Sequence, residues 1–487
     1  MTIINTKGDT VDSTSEVYDN MVEYWQLPMT LMGGERAMKD ATTTYLPKEP
    51  METDPQYQNR LARTTLKNYF GWAIENHTGR VFKKPVVMSD DVDDTIKEYN
   101  KNLDLLGNDV DAFYREVFRD MLIKGISFVY VDFPRSSEDM TLADELEADL
   151  RPYCIHIKAE QLIKAVSGVV NGRVVLTRAH ILETAIVPSG KWGSKSYEKI
   201  RVLYPGYWEL YDRTGENSNW VLIDSGETSL NYIPLVPLYG RKTGFCGGLS
   251  PLQNLANLNR AHWQSLSDQM NITHVARVPI LFGTGFDEGD GLTVGTKSAI
   301  MGPDGSELEF VEHTGKAIEA GMNELKDLEE RMLLESLEML SEGASETATS
   351  RSLDISDINC SLQTLAIKLE KAISKVNDIM SDYDEIERVG SVVVNTDFGL
   401  QLRDGSESNL LLKMRQSKNI SLPAFQKEVK RRGVLSFDFD SEEDIKLLKA
   451  EAKELLPEEQ PYVDEDGKQI VGDDEAGSLD TGKPRLE

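Results

Sequence analysis

From Ile355 to Tyr383 apolar residues return in unbroken steps of three and four: Ile355, Ile358, Leu362, Leu365, Leu369, Ala372, Val376, Ile379 and Tyr383. Residues so spaced share one face of an α-helix. The segment therefore predicts a helix about 43 Å long at 1.5 Å per residue, buried along one stripe against its own subunit or a neighbour. The twelve residues Ser341–Ser352, "SEGASETATSRS", which end two residues short of it, have no apolar face and predict a loop.

The same patterning divides the rest of the chain. Residues 1–54 are polar and punctuated by "MGGER" and "LPKEP". They predict a loosely ordered arm with a short helix near Tyr18–Trp25. "PQYQNRLARTTLKNYFGWAIENHTG" predicts one helix, with Tyr57, Leu61, Tyr69, Ala73 and Ile74 inward and Gly79 ending it. "VFKKPVV" is extended, because Pro85 disfavours helical Lys84. Helices follow over residues 93–103 and 110–124, the second closed by Gly125 as a C-cap. "ISFVYVDF" predicts a buried strand. Strands dominate from Arg151 to Tyr239, with "DRTGENSN" as a hairpin turn and "RKTGFCGGLSP" as a Gly-rich joint.

A helix capped by Ser250, with Pro251 as its first residue, then carries Leu252, Leu255, Ala256, Trp263, Leu266 and Met270 on one face. Asn257, Arg260, Gln264, Asp268 and Asn271 lie opposite. "VPILFG", "KSAIMG" and "ELEFVE" predict three short strands. The run from 317 to 340 predicts another helix, with Ile318, Met322, Leu325, Leu328, Met332 and Met339 on its apolar side. A strand "GSVVVNTDF" and three short helices between Ser406 and Leu456 complete the ordered chain. The segment from Pro457 to Glu487 has ten acidic and three basic residues and predicts a disordered tail.

Composition narrows the chemistry. The chain has 487 residues and a net charge of −29. Tight nucleic-acid binding draws on a basic surface, so this chain should repel DNA over most of its surface. No run of 18 apolar residues suits a membrane span, and the N-terminus lacks the basic-then-apolar order of a secretory signal. Three widely spaced cysteines, Cys154, Cys246 and Cys360, point to a reducing compartment without disulfides or a cysteine metal site.

Chemical motifs fail on their spacing. "GLTVGTKS" has three residues between its glycines where a phosphate loop needs four. "GLSP" lacks the second glycine of a nucleophile elbow, and Ser250 is better read as a helix cap. "DEDG" lacks the alternation of a calcium loop. The six histidines offer no ligand pair at helical spacing. No catalytic residue, metal or cofactor is expected.

The order of segments carries more. "TGRVFKKP" and "IKGISFVYVDFP" come first. "GGLSPLQNLANLNRAHWQSLSDQ", "RVPILFGTGF", "IMGP", "ELEFVEHTGKAIEAGMNELKDLEERM", "ETATSRS" with its long helix, and "RRGVLSFDFDSEEDIKLLKAEAKELL" follow. This order resembles the portal (head–tail connector) proteins of tailed bacteriophages, over roughly Tyr57 to Leu456.

The resemblance implies an α+β subunit, elongated, with a β-rich wing, long helices lining a central channel, a small strand-rich clip and a helical C-terminal crown. On that pattern 1–54 is the N-terminal arm and 55–250 the wing. Residues 251–274 are a stem helix and 275–315 the clip-like strands. Residues 316–340 are a second stem or wing helix, 341–352 the tunnel loop, 353–400 the long channel helix and wing strand, 401–456 the crown, and 457–487 the acidic tail. Portals usually have two stem helices flanking the clip, and 317–340 is the candidate for the second.

The implied assembly is a homo-oligomeric ring, usually of twelve subunits, at one capsid vertex of the virion, formed in the host cytoplasm during assembly. Double-stranded DNA passes through it without sequence specificity during packaging and ejection. The terminase packaging motor, the major capsid protein and a head–tail adaptor protein are the implied partners. By position Ser345, Thr347, Thr349 and Ser350 would face DNA as small hydroxyl groups, and Arg351 would give one phosphate contact. Ile355, Ile358, Leu362, Leu365, Leu369 and Val376 would form the oligomer or core seam behind the loop. Two other readings compete: a minor capsid or adaptor protein that does not line the DNA path, and an enzyme acting on nucleic acid or nucleotides.

Overall fold

The computed structural model describes residues 10–134, 150–213, 219–277, 280–284, 305, 307–311, 315–338, 361–388, 390–396, 398, 412–417, 419–431 and 441–454. The chain divides into two units, Met1–Gly399 and Leu400–Glu487. The candidate loop residues Ser345, Thr347, Thr349, Ser350 and Arg351, and Ile355 and Ile358, lie outside the described residues, as do "KSAIMG", "GLTVGTKS" and the acidic tail.

The first unit mixes helix and sheet as the α+β pattern requires. Helix α1 (Glu16–Met32) is capped by Ser15, whose hydroxyl accepts from the Tyr18 amide at 3.2 Å. It is twice the expected length and is no loose arm. Tyr18, Met21, Val22, Trp25 and Leu31 are buried. The Trp25 indole donates to the Lys124 carbonyl at 2.9 Å, and the Tyr18 hydroxyl donates to the Glu160 carbonyl at 3.1 Å. Pro28 lies inside the helix and does not end it. Helix α2 (Gly34–Asp40) and a short 3₁₀ turn follow.

The single helix expected from Pro55 is two, α3 (Asp54–Arg63) and α4 (Tyr69–Val81). The break is made at Thr64 and Asn68. The Thr64 hydroxyl bonds the Arg60 carbonyl at 2.8 Å, while Thr64 itself turns extended. Asn68 then caps α4 by accepting from the Gly71 amide at 2.8 Å. Gly79 does not stop α4, which runs two residues further.

After the short strand β1 (Val87–Met88) and helix α5 (Asp94–Tyr99), α6 (Val110–Lys124) ends at Gly125 in the left-handed region, φ 85°. The chain enters β2 (Ile126–Asp132), buried along nearly its whole length. Strand β2 is the centre of a three-stranded antiparallel sheet, between β3 (Tyr153–Lys158) and β9 (Leu235–Tyr239). A second sheet is a five-stranded meander of β4 (Leu162–Val170), β5 (Arg173–Ser189), β6 (Gly193–Tyr204), β7 (Tyr207–Arg213) and β8 (Trp220–Glu227). The Gly-rich joint after it is a hairpin, β10 (Arg241–Gly244) and β11 (Gly247–Leu249).

That hairpin seats against Gly125. The Gly240 amide donates to the Gly125 carbonyl at 2.9 Å, and the Gly125 Cα lies so close to β11 that a Cβ there would meet the Leu249 carbonyl carbon at 2.0 Å. Helix α7 (Gln253–Ala276) starts from this seat. It begins three residues after Ser250, whose hydroxyl accepts from the Leu252 amide at 3.1 Å and donates to the Leu122 carbonyl at 2.6 Å. Ser250 therefore shapes the turn before the helix rather than capping its first turn.

Strands β12 (Ile280–Thr284) and β13 (Glu307–Val311) pair antiparallel, and α8 (Lys316–Glu338) follows. Helix α9 (Ser361–Tyr383) is the described part of the long periodic segment, and β14 (Val392–Val393) returns to pair with β1.

Two cores hold the first unit together. One joins α2 to α6 with Trp263, Met332 and the inward side of α9; the other sits under the meander with Trp25, Phe128 and Ile200. The second unit contains α10 (Leu422–Arg431), where Ser421 accepts from the Ala424 amide at 3.3 Å, and α11 (Ser441–Glu454). Gln426 of α10 donates to Asp444 of α11 at 3.2 Å.

Candidate functional site

Helices α7 and α8, with β12 and β13 between them in the chain, form the arrangement most relevant to the expected conduit. Their register is antiparallel. His262 Nε2 lies 3.2 Å from Glu329, the Ser265 hydroxyl donates to Glu324 at 3.1 Å, and the Gln269 amide donates to the Ile318 carbonyl at 2.9 Å. As the α7 number rises, the α8 number falls. The helix expected over 317–340, described as α8 to Glu338, therefore packs antiparallel against the helix after Ser250.

On the polar side of α7, Asn257, Arg260 and Asp268 stay exposed, while Gln264 and Asn271 reach the start of the chain. Gln264 donates to the Tyr45 carbonyl at 2.9 Å, and Asn271 accepts from Arg63 at 3.0 Å. Beside them Arg60, 4% exposed, is gripped by Glu52 through two hydrogen bonds of 2.9 and 2.8 Å. It also donates to the Pro47 carbonyl at 2.7 Å and lies 3.6 Å from Asp268. The hydrogen bonds from Arg60 hold the Glu52 carboxyl below its ordinary range, whereas burial raises that of Asp268. Ser267 and Thr64 are hydrogen-bonded at 2.8 Å inside this contact. A guanidinium so enclosed is stable only with its carboxylate.

At the α7–α8 contact, Glu329 takes Lys67 at 2.5 Å and His262 at 3.2 Å. Burial opposes ionisation of Glu329, but the hydrogen bonds from Lys67 and His262 outweigh it and hold the carboxyl below its usual range. Burial also lowers the pKa of His262. The result is a polar clamp from α4's approach (Lys67) through α7 to α8. Neither Arg60 nor His262 stands out in the sequence, since both sit inside amphipathic helical runs. Only the fold supplies their partners.

The outer side of α8 is different. Leu333, Leu334 and Leu337 are each about 40% exposed, on neighbouring positions of one helical face. By contrast Leu362, Leu365, Leu369 and Val376 of α9 are buried at 4% exposure or less, together with Ala366, Ile373 and Met380. These rows are wider than the strict three–four stripe, and one chain alone covers them.

Among the described residues no group of three or more His, Cys, Asp or Glu side chains could hold a metal ion, and no helix is long and apolar enough to cross a membrane. Cys154 and Cys246 are buried free thiols. A Ser127–His156 contact of 2.8 Å near Asp120 resembles a nucleophile pair on paper. Yet Ser127 is fully buried, and burial pushes His156 down to about 4, so it forms part of the buried charge network of Lys124, Asp120 and Glu160.

A family model described as a domain of unknown function (DUF4055) matches residues 251–384, which run from the start of α7 to the end of α9. No curated protein matches the sequence. Solved structures similar to the chain include the neck of an empty GTA particle computed with C6 symmetry, at 9% identity over 75% of this chain and 91% of that chain, TM-score 0.41. The neck of a native GTA particle computed with C12 symmetry is 10% identical over 74% and 89%, TM-score 0.42. The virion of a native gene transfer agent (GTA) particle is 11% identical over 78% and 89%, TM-score 0.38.

Proposed function

We propose that this chain is the subunit of a portal-type ring, a conduit for double-stranded DNA at one vertex of a phage-like capsid. One observation carries the reading: the antiparallel pair α7–α8 brackets the paired strands β12 and β13, as two stem helices bracket a clip. The segment order in the sequence supports it. So does a net charge of −29 per subunit, since an acidic wall gives DNA no phosphate anchors and lets it slide. On this reading the residues around β12 and β13 dock the terminase and later the adaptor protein, and the outer leucines of α8 face a second copy. The loop with Thr347 and Thr349 faces the duplex.

Class-averaged electron micrographs of the purified chain test the assembly. Rings with a central hole are expected, and the L333E/L337E variant should give smaller species with an unchanged fold. A uniform monomer at every protein concentration overturns the ring and favours a minor capsid or adaptor role. The T347D/T349D variant should form rings yet package DNA poorly, more so at low salt, because each added charge reaches about 8 Å at physiological ionic strength. Packaging at the original rate removes the loop from the channel.

A further inference from the structure

The meander contains one segment that its neighbours do not support. Strand β4 pairs with β5 only as far as Ile181, and β7 pairs with β6 only from Lys199. Strands β5 and β6 continue past both flanks, from the pair Thr184–Glu198 to the pair Ser189–Gly193. Those six pairs extend about 20 Å beyond the flanking strands at 3.3 Å per residue.

Every described side chain from Ile186 to Tyr197 is exposed. Ile186 is 74% and Trp192 89% exposed, and Lys191 lies over the Trp192 ring at 5.0 Å. A two-stranded ribbon with both edges open is at best marginally stable in water, and open edges with large apolar side chains are adhesive.

Charge separates this region from the rest of the chain. Residues 162–204 carry seven Lys and Arg against Glu183 and Glu198, a net of +5 in a chain of −29. Every other copy of the chain therefore offers a strongly acidic surface. A phosphate backbone would satisfy the lysines, but it would leave Ile186, Val187 and Trp192 in water and the ribbon's amides and carbonyls unpaired. A protein surface answers all three needs.

We infer that the β5–β6 ribbon is an intersubunit arm that docks on an acidic surface of a second copy of this chain. The lysines steer the encounter, Ile186, Val187 and Trp192 supply the buried contact, and the ribbon edges pair with backbone. The inference extends the assembly reading above but requires only a second copy, not a ring.

The test uses the full chain with a photo-reactive benzoylphenylalanine in place of Trp192, mixed from light and heavy isotope preparations. Cross-links that join light to heavy chains, within Asp- and Glu-rich peptides, are expected, and they should fade as salt rises. In parallel, K191E/K195E should raise the concentration needed for half-assembly by about tenfold or more, with salt sensitivity lost. Its melting temperature below the assembly range should stay unchanged, because both lysines are exposed.

Cross-links confined to single-isotope chains, their diversion to added duplex DNA, or unchanged assembly of the charge variant overturn the inference. Rings in micrographs without a cross-link between copies overturn the arm alone. Cross-links between copies without rings overturn the conduit alone.

Discussion

Gly125 and Gly206 have nearly the same left-handed backbone, φ 85° and 86°, but opposite surroundings. Around Gly206 nothing lies within 4 Å of an added Cβ, whereas at Gly125 it would meet the Leu249 carbonyl carbon at 2.0 Å and the Ser250 nitrogen at 2.4 Å. The G206A variant therefore measures backbone strain alone: about 1–2 kcal/mol for a side chain in that region, less about 0.4–1 kcal/mol from stiffening the unfolded chain. A net loss of roughly 1 kcal/mol is expected.

G125A incurs the same strain and must also move β11 by more than 1 Å to restore an ordinary contact of 3.4–4 Å. Overpacking adds about 1–3 kcal/mol. The Ser250–Leu122 and Gly240–Gly125 hydrogen bonds, 2.6 and 2.9 Å, are strained by the same movement at roughly 1 kcal/mol each. We expect about 3–5 kcal/mol for G125A. Urea unfolding of both variants beside the parent, at one protein concentration, gives the difference directly. If the two losses agree within about 0.5 kcal/mol, β11 does not press on Gly125, and the seat from which α7 departs is wrongly described.

Three other outcomes are expected. E52A should destabilise by about 3–5 kcal/mol by stranding the buried Arg60 charge, whereas R60M/E52L should recover most of that loss in the same unfolding experiment. L369A, at a fully buried position of α9, should cost about 2–5 kcal/mol through transfer and cavity, with no change in ring size. Burial lowers the pKa values of His77, His156 and His180 to about 4, below the unfolded value near 6.5. Between those values the unfolded chain holds more protons, so their stabilisation is complete above pH 6.5 and is lost as pH falls toward 4. Each contributes at most about 3 kcal/mol. Asp111 and Asp132, raised by burial, work in the opposite direction. Stability curves at pH 7 and 5 for the parent and H180Q should differ more for the parent; parallel curves refute the account.

Where one period ruled a segment, the sequence was readable. The buried β2, the Gly125 cap, the apolar sides of α7 and α9, and Leu325, Leu328 and Met332 of α8 follow from local pattern, whereas Met322, expected on the same side of α8, is exposed. Long-range contact decided the rest. Of helix α1 only the stretch near Tyr18–Trp25 was legible; its full length and its anchoring depend on contacts such as that of Trp25 with the Lys124 carbonyl. The α3–α4 break depends on Asn68, whose side chain also donates to the Leu31 carbonyl at 2.6 Å. Strand β4 falls in the stretch expected to be mostly strand, but "LIKAVSGVV" has neither alternation nor a turn residue before it, and only its ladder with β5 sets its bounds. In the site, Glu329 and Leu333 are consecutive turns of one helix. Nothing local tells that the first closes a clamp while the second is left bare.

The pairing of β1 with β14 has a consequence for synthesis. Val87 waits for Val393, and the side of the first core that α9 covers waits for Leu362 to Met380. A ribosome adding about 5–20 residues per second needs on the order of 15–60 s to go from residue 87 to residue 393. For that time Tyr99 and Asn100 lack Asp384 and Asn377, their hydrogen-bond partners in the finished fold. The nascent chain must then carry a sticky, half-built core for most of its translation. Its yield in a cell should therefore depend on chaperone supply and temperature during synthesis more than on the stability of the finished fold.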